Sequence, residues 1–301
     1  MASTSALPVQ PALPPCVSRV AGPGGLPMVS VRDAEHGELD VALQGAHVTR
    51  WSPPGGGDVL WLSPTAVFGP GTAIRGGVPI CFPWFGGGPD GADRPSHGYA
   101  RLMPWRLASA TRSASGVELV LGLDPVAPSA LAASYRITVG AALGLELSVH
   151  NTGACDASFE AALHTYLAVS DVRRVAVTGL GGVSYLDRLG GPEPVPQEDD
   201  VLRLTGETDR IYQGTDAAVV VHDVAAGRRL EVVKAGSAST VVWNPWSGTG
   251  GAMSDVGPAW TSMLCVETAN VREHAVTLAP DGVHTMTSTI GVHAGTSTSP
   301  R

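Results

Sequence analysis

A chain of 301 residues with 44% hydrophobic content, 15% charged residues and a mean hydropathy of +0.13 belongs with folded globular proteins, and it is neither disordered nor a coiled coil. Its formal net charge of −8 disfavours nucleic acid or an anionic membrane as partner, and an anionic small substrate would need a local cluster of arginines. No uninterrupted apolar run approaches the roughly 20 residues of a membrane span.

In chain order, the opening stretch MASTSALPVQPALPPC lacks a basic region ahead of an apolar core, so no secretory signal is expected. Residues 1–24 read as a flexible Pro/Ala-rich tail. Cys16, Cys81, Cys155 and Cys265 are scattered, without CxxC or metal-type His/Cys spacing, which suits reduced thiols in a cytoplasmic protein. Short runs rich in Val, Leu, Ile, Thr and Trp then follow about every 10 to 20 residues, separated by Gly- and Pro-rich turns. They include LDVALQGAHVTRW, GVELVLGL, SYRITVGAAL, LELSVHNT, FEAALHTYLAV, STVVWNPW and SMLCVETAN. This rhythm predicts an all-β protein, one large antiparallel β-sandwich from about residue 25 to 293 followed by a short tail over 294–301. Only 128-PSALAAS and a few short pieces read as helical, which argues against a parallel α/β fold.

Two segments break the rhythm. The first, 69–101, is too Gly/Pro-rich for core strand and too aromatic for a linker; long loops within compact domains usually carry function. Within it Arg75 precedes two glycines, which lets backbone and guanidinium approach a ligand closely. HGYAR places His97, Tyr99 and Arg101 on one face if extended. The second, 187–212, is acidic and returns to strand at its end.

Period-two alternation singles out two further residues. His164 shares a face with Ala162 and Tyr166, opposite Leu163, Thr165 and Leu167. Glu267 shares its face with Cys265 and Ala269, where an ionised carboxylate is costly unless paired or set in a polar cleft. They read as a candidate acid and base on separate strands. A packed structural histidine is the commoner occupant of such a position, and a surface ion pair the commoner fate of each arginine. GGGPDG lacks the phosphate-loop pattern, and GxSxG, HExxH and GxGxxG are absent. Glu267 with Asp209 or Glu160 would be needed for a glycosidase pair, but nothing singles such a pair out.

The ordered motifs WLSP, IRGGVPICFPWFG, HGYAR, LHTYL with a following SD, GL..VSYLD, ETDRIY, VVWNPW and MLCVETANV resemble the aldose 1-epimerase superfamily. The resemblance spans about residues 25 to 293 and is closest to its hexose-6-phosphate mutarotase branch, the glucose-6-phosphate 1-epimerases. It implies a large β-sandwich with a concave face, acid/base interconversion of sugar anomers, and no metal or organic cofactor. It places catalysis on His164 as acid and Glu267 as base, and substrate contacts on Arg75, His97, Arg101 and Asp209. The glycine-rich loop over 86–96 departs from the family pattern, so no phosphate contact is carried over there. The alternatives are an aldose 1-epimerase acting on free hexoses and a non-catalytic carbohydrate-binding sandwich. A monomer is expected.

Overall fold

Alternation of side chains governs the strands of the larger sheet. In Leu131–Val139 and Ala142–Asn151 buried and more exposed residues alternate, as expected where one face meets the core and the other water. Met263–Asn270 differs, because all eight of its residues are buried. Leu264 and Val266 point into the main core, while Ala269 joins Cys81, Phe85, Ala162, Ile211 and Val241 in a second, smaller apolar cluster. That second cluster floors the face carrying the candidate site.

The computed structural model describes residues 11–88, 91, 94–295 and 300. Among them the pairings are antiparallel, in sheets of nine, eight, four and two strands. The eight-stranded sheet runs Val195–Pro196, Ser184–Asp187, Thr208–Gln213, Ser239–Asn244, Met263–Asn270, Ala161–Leu163, Ile80–Cys81, with Tyr166–Ala168 also pairing to Met263–Asn270. The nine-stranded sheet supplies Leu119, Tyr135, Ile137, Leu145 and Ile290 to the same core that receives Trp51, Phe82 and Leu264. The all-β sandwich expected from the strand rhythm is therefore the architecture.

Three expectations differ from the structure. Val17–Ala21 pairs with Pro27–Asp33, so the first strand lies within the segment read as a tail to residue 24; residues 1–10 of that tail, and 296–299 and 301 of the other, lie outside the described residues. The stretch 128-PSALAAS is no helix: Ser129 Oγ accepts from the Leu131 amide and the chain enters the strand Leu131–Val139, which the nine-stranded sheet binds on both edges. Among the described residues the α-helix instead is Trp246–Ala252, whose Gly-rich sequence WSGTGGA carries no helical pattern; Asn244 Oδ1 accepts from the Trp246 amide at its start.

The loop over 69–101 is held down by its glycines. Gly77 adopts φ +62°, and a side chain there would collide with the Val48 carbonyl. His47, on the strand beneath, donates from Nε2 to the Gly76 carbonyl at 2.7 Å. Gly77 thus serves close backbone packing on His47–Ser52, and Gly76 close packing on the backbone of Trp61 and Leu62. His47 is completely buried and has its pKa lowered to about 4 by that burial.

Because the folded pKa of His47 lies below that of the unfolded chain, about 6.5, the unfolded state binds the extra proton as pH falls. Stability contributed by neutral His47 is therefore complete above pH 6.5 and declines towards pH 4, by about 1.4 kcal/mol per pH unit within that window. Urea unfolding at stepped pH should show a shallower slope for His47→Gln than for the wild type; identical slopes would mean that His47 is not held neutral.

Candidate active site

The strand containing His164 is interrupted. Ala161–Leu163 and Tyr166–Ala168 both pair with Met263–Asn270, Leu163 opposite Thr268 and Tyr166 opposite Cys265. The register is the same on both sides of the break, which sets His164 opposite Glu267. At the break the His164 amide donates to the Pro79 carbonyl at 3.0 Å, anchoring it to the 69–101 loop. Cross-strand neighbours lie within side-chain reach, and here Nδ1 of His164 is 3.2 Å from Oε1 of Glu267. The two candidates are thus contacting neighbours, not groups facing each other from separate walls.

Both are deeply buried, with 7% of His164 and 1% of Glu267 exposed. The orientation of the pair leaves His164 Nδ1 and Glu267 Oε2 without a hydrogen-bond partner. Burial pushes the Glu267 carboxyl well above the usual range, helped by Asp209 and opposed by Arg188 and Arg101. Burial likewise holds His164 well below 6.5, reinforced by His97, Arg101 and Arg75. Desolvation penalises the charged form of each.

Aromatic rings fix the imidazole. Tyr166 stacks on His164 at 4.7 Å between centroids with 6° between planes, and Trp243 meets it edge-on at 5.9 Å. His97 approaches at 5.7 Å. HGYAR is not extended: His97 has φ +62°, unusual outside glycine, and Ala100–Leu102 is a 3₁₀ turn. The His97 amide donates to the Gly86 carbonyl at 2.6 Å and its Nδ1 accepts from the Gly86 amide at 3.3 Å. Tyr99 consequently turns away and packs edge-on against Trp84 at 5.7 Å. Burial and Arg101 bring the His97 pKa down to about 3.

Four arginines surround this centre. Arg75 is engaged: Nε donates to Asp255 Oδ2 at 2.9 Å and Nη1 to the Tyr166 hydroxyl at 3.0 Å. Arg101 donates from Nη2 to the Ser96 carbonyl at 2.8 Å, while its Nε is buried without a partner. Sequence reasoning missed the other two. Arg188 pairs with Asp209 at 3.2 Å and lies 5.8 Å from the Phe85 ring; Arg272 pairs with Glu160 at 3.1 Å. Their Nη2 atoms both come within 3.6 Å of where a Gly86 side chain would begin. Arg188 follows SYLD and Arg272 follows CVETANV, so position beside a motif was the available signal. Arg75, His97, Arg101 and Asp209 all reach the surroundings of the His164–Glu267 pair through charge. Residues 89, 90, 92 and 93 of the 86–96 loop lie outside the described residues.

Cys265, two residues before Glu267, brings a thiol to the same face, and the ligand atoms of His164, Cys265 and Glu267 lie within 4.8 Å of one another. A groove of about 730 Å³ lined by Pro83, Trp84, Tyr99, Phe159 and Glu160 flanks the site loop but does not include His164 or Glu267. No described helix is long and apolar enough to cross a membrane.

A family model described as aldose 1-epimerase matches residues 27–291. A Salmonella typhimurium protein named "Putative glucose-6-phosphate 1-epimerase" is 35% identical, over 87% of this chain and 89% of its own. A Cenchrus ciliaris protein of the same name is 34% identical, over 88% and 84% respectively. The crystal structure of a Salmonella typhimurium protein described as a "putative mutarotase" superposes with a TM-score of 0.87 at 32% identity, covering 96% of this chain and 97% of that one. The chain belongs to the aldose 1-epimerase family.

Proposed function

We propose that this protein interconverts the α and β anomers of a hexose 6-phosphate, with Glu267 as base and His164 as acid. The observation that carries the reading is the contact of a buried carboxyl and a buried imidazole at 3.2 Å, on a face ringed by arginines. Burying such a pair costs stability and offers binding alone little in return, which weighs against a non-catalytic sandwich. Relatives bearing the name glucose-6-phosphate 1-epimerase, at 34–35% identity over most of the chain, support the choice of substrate. A cytoplasmic location suits a phosphorylated substrate.

Opening the ring requires that the C1 hydroxyl lose a proton, the bond from C1 to the ring oxygen break, and the ring oxygen gain a proton. Glu267 takes the first proton and His164 delivers the second. Rotation about C1–C2 and the reverse transfers then close the ring on the other face of the aldehyde. Burial disfavours a lone carboxylate at Glu267 and a lone imidazolium at His164, and so favours the forms in which the pair holds one proton and carries no net charge. Arg101 and Arg188 favour the carboxylate form of Glu267, and the nearly dianionic phosphate of the substrate favours imidazolium at His164. Arg101, with its unpartnered buried Nε, is the arginine best prepared to take that phosphate, and Arg75 backs it from the Tyr166 side. Asp209 and His97 flank the sugar.

The acid limb of the pH–activity profile should lie below 6.5, where the pair takes a second proton, and the alkaline limb above the ordinary glutamate value of 4.5, where the pair loses its proton. Glu267→Gln and His164→Asn should each slow anomerisation by about 10²–10⁴-fold, measured by NMR exchange against the uncatalysed rate. Near-normal rates in either variant would refute the assignment.

Arg101→Ala should raise KM for hexose 6-phosphate by about 10–100-fold, the loss of one charge-assisted hydrogen bond. KM for the free hexose should hardly move. Equal loss on both substrates would point to a mutarotase of free sugars.

A further inference from the structure

Three donors of different chemistry converge where Met263–Asn270 faces the interrupted strand. His164 Nδ1 or Nε2, Cys265 Sγ and a Glu267 carboxylate oxygen lie within 4.8 Å of one another, in three buried residues. Alternation puts Cys265 and Glu267 on one face of a single strand, and the shared register puts His164 beside them. Two atoms of this cluster, His164 Nδ1 and Glu267 Oε2, are buried and unpartnered. The 3.2 Å approach of Nδ1 to Oε1 is no hydrogen bond by orientation, yet it matches a shared ion. Ligands at about 2.0–2.2 Å from a tetrahedral metal stand about 3.3 Å apart.

We propose that His164, Cys265 and Glu267 form a three-ligand site for a borderline-soft divalent cation, Zn²⁺ above all, whose binding inactivates the acid/base pair by occupying it. Imidazole, thiolate and carboxylate together select zinc over magnesium or calcium, which prefer oxygen ligands. The fourth tetrahedral position is left to a water. Binding forms the three metal–ligand bonds and releases to solvent the thiol proton of Cys265 and the proton held by the His164–Glu267 pair; nothing is oxidised or reduced. The thiolate and carboxylate neutralise the two charges of the ion. The cations facing the site are largely balanced, Arg75 by Asp255 and Arg188 by Asp209, which leaves Arg101 as the nearby opposing charge; His97 also faces it.

A second cluster, Asp33, Glu35 and His36, has similar composition but lacks free donors. Asp33 accepts from the amides of Glu35 and His36 and from Arg112, so its oxygens are already occupied.

The proposal of binding stands on the donor geometry; the inactivation rests on the acid/base reading above, and the two fail separately. Titrating Co²⁺ into the full chain should raise a thiolate-to-cobalt charge-transfer band with intensified visible bands, saturating at one equivalent, and Zn²⁺ should abolish it by displacement. Cys265→Ser should lose the band and weaken Zn²⁺ binding at least tenfold, whereas Cys81→Ser, altering the neighbouring buried thiol, should keep it. X-ray absorption of the zinc-loaded wild type, which needs no variant, should show one sulfur at about 2.3 Å among nitrogen and oxygen ligands. Absence of the band, its survival in Cys265→Ser, or a zinc shell without sulfur would overturn the site. A band accompanied by undiminished anomerase activity would keep the site and overturn the inactivation, and with it the roles given to His164 and Glu267.

Discussion

The contact between His164 and Glu267 is the arrangement on which the rest of the structure turns. A carboxyl and an imidazole sit side by side on a face where water is nearly excluded, with 1% and 7% of the two residues exposed. Left alone, either charge would be expelled or neutralised. Held together, the pair carries no net charge when one proton rests on it. Their adjacency comes from backbone register: the strand at Ala161–Leu163 breaks, resumes at Tyr166 and keeps step with Met263–Asn270 throughout. Stacking by Tyr166 and the anchor to Pro79 then fix which way the imidazole faces.

Charge around the pair follows a second rule. The chain is acidic overall, yet its centre is lined by Arg75, Arg101, Arg188 and Arg272. Three of these are neutralised by Asp255, Asp209 and Glu160, so the site is polar and preorganised without a large unbalanced field. Repulsion of an anionic substrate by the rest of the surface is screened over about 8 Å at physiological salt. Local donors therefore decide what binds. Glu160 does double service: its carboxylate receives the Phe85 and Arg272 amides and so pins the loop that presents His97 to the strand end that follows Glu267.

Much of this was legible from residue order. Alternation separated His164 from the leucines beside it and placed Glu267 with Cys265, because a strand's side chains must alternate whatever the fold around them. The motif resemblance then joined residues about a hundred positions apart. Where local reasoning misled, tertiary contacts had outweighed it. PSALAAS has the composition of a helix but is captured between two neighbouring strands. HGYAR would put His97, Tyr99 and Arg101 on one face if extended, yet His97 takes a positive φ and Tyr99 packs against Trp84. The glycines after Arg75 looked like room for a ligand and proved to be room for the protein's own backbone, that of Trp61 and Leu62 at Gly76 and that of Val48 at Gly77.

By itself the sequence determined the all-β architecture and the loop that carries Arg75, His97 and Arg101, and it marked His164 and Glu267 as a candidate acid and base, since these rest on periodicity and on motifs contiguous in the chain. Only the tertiary structure decided that His164 and Glu267 touch, that Cys265 closes a third corner beside them, and that Arg188 and Arg272 come to the same centre. The reason is register. A slip of one residue between Ala161–Ala168 and Met263–Asn270 would turn one of the pair to the opposite face, and local sequence does not encode how two distant strands are aligned.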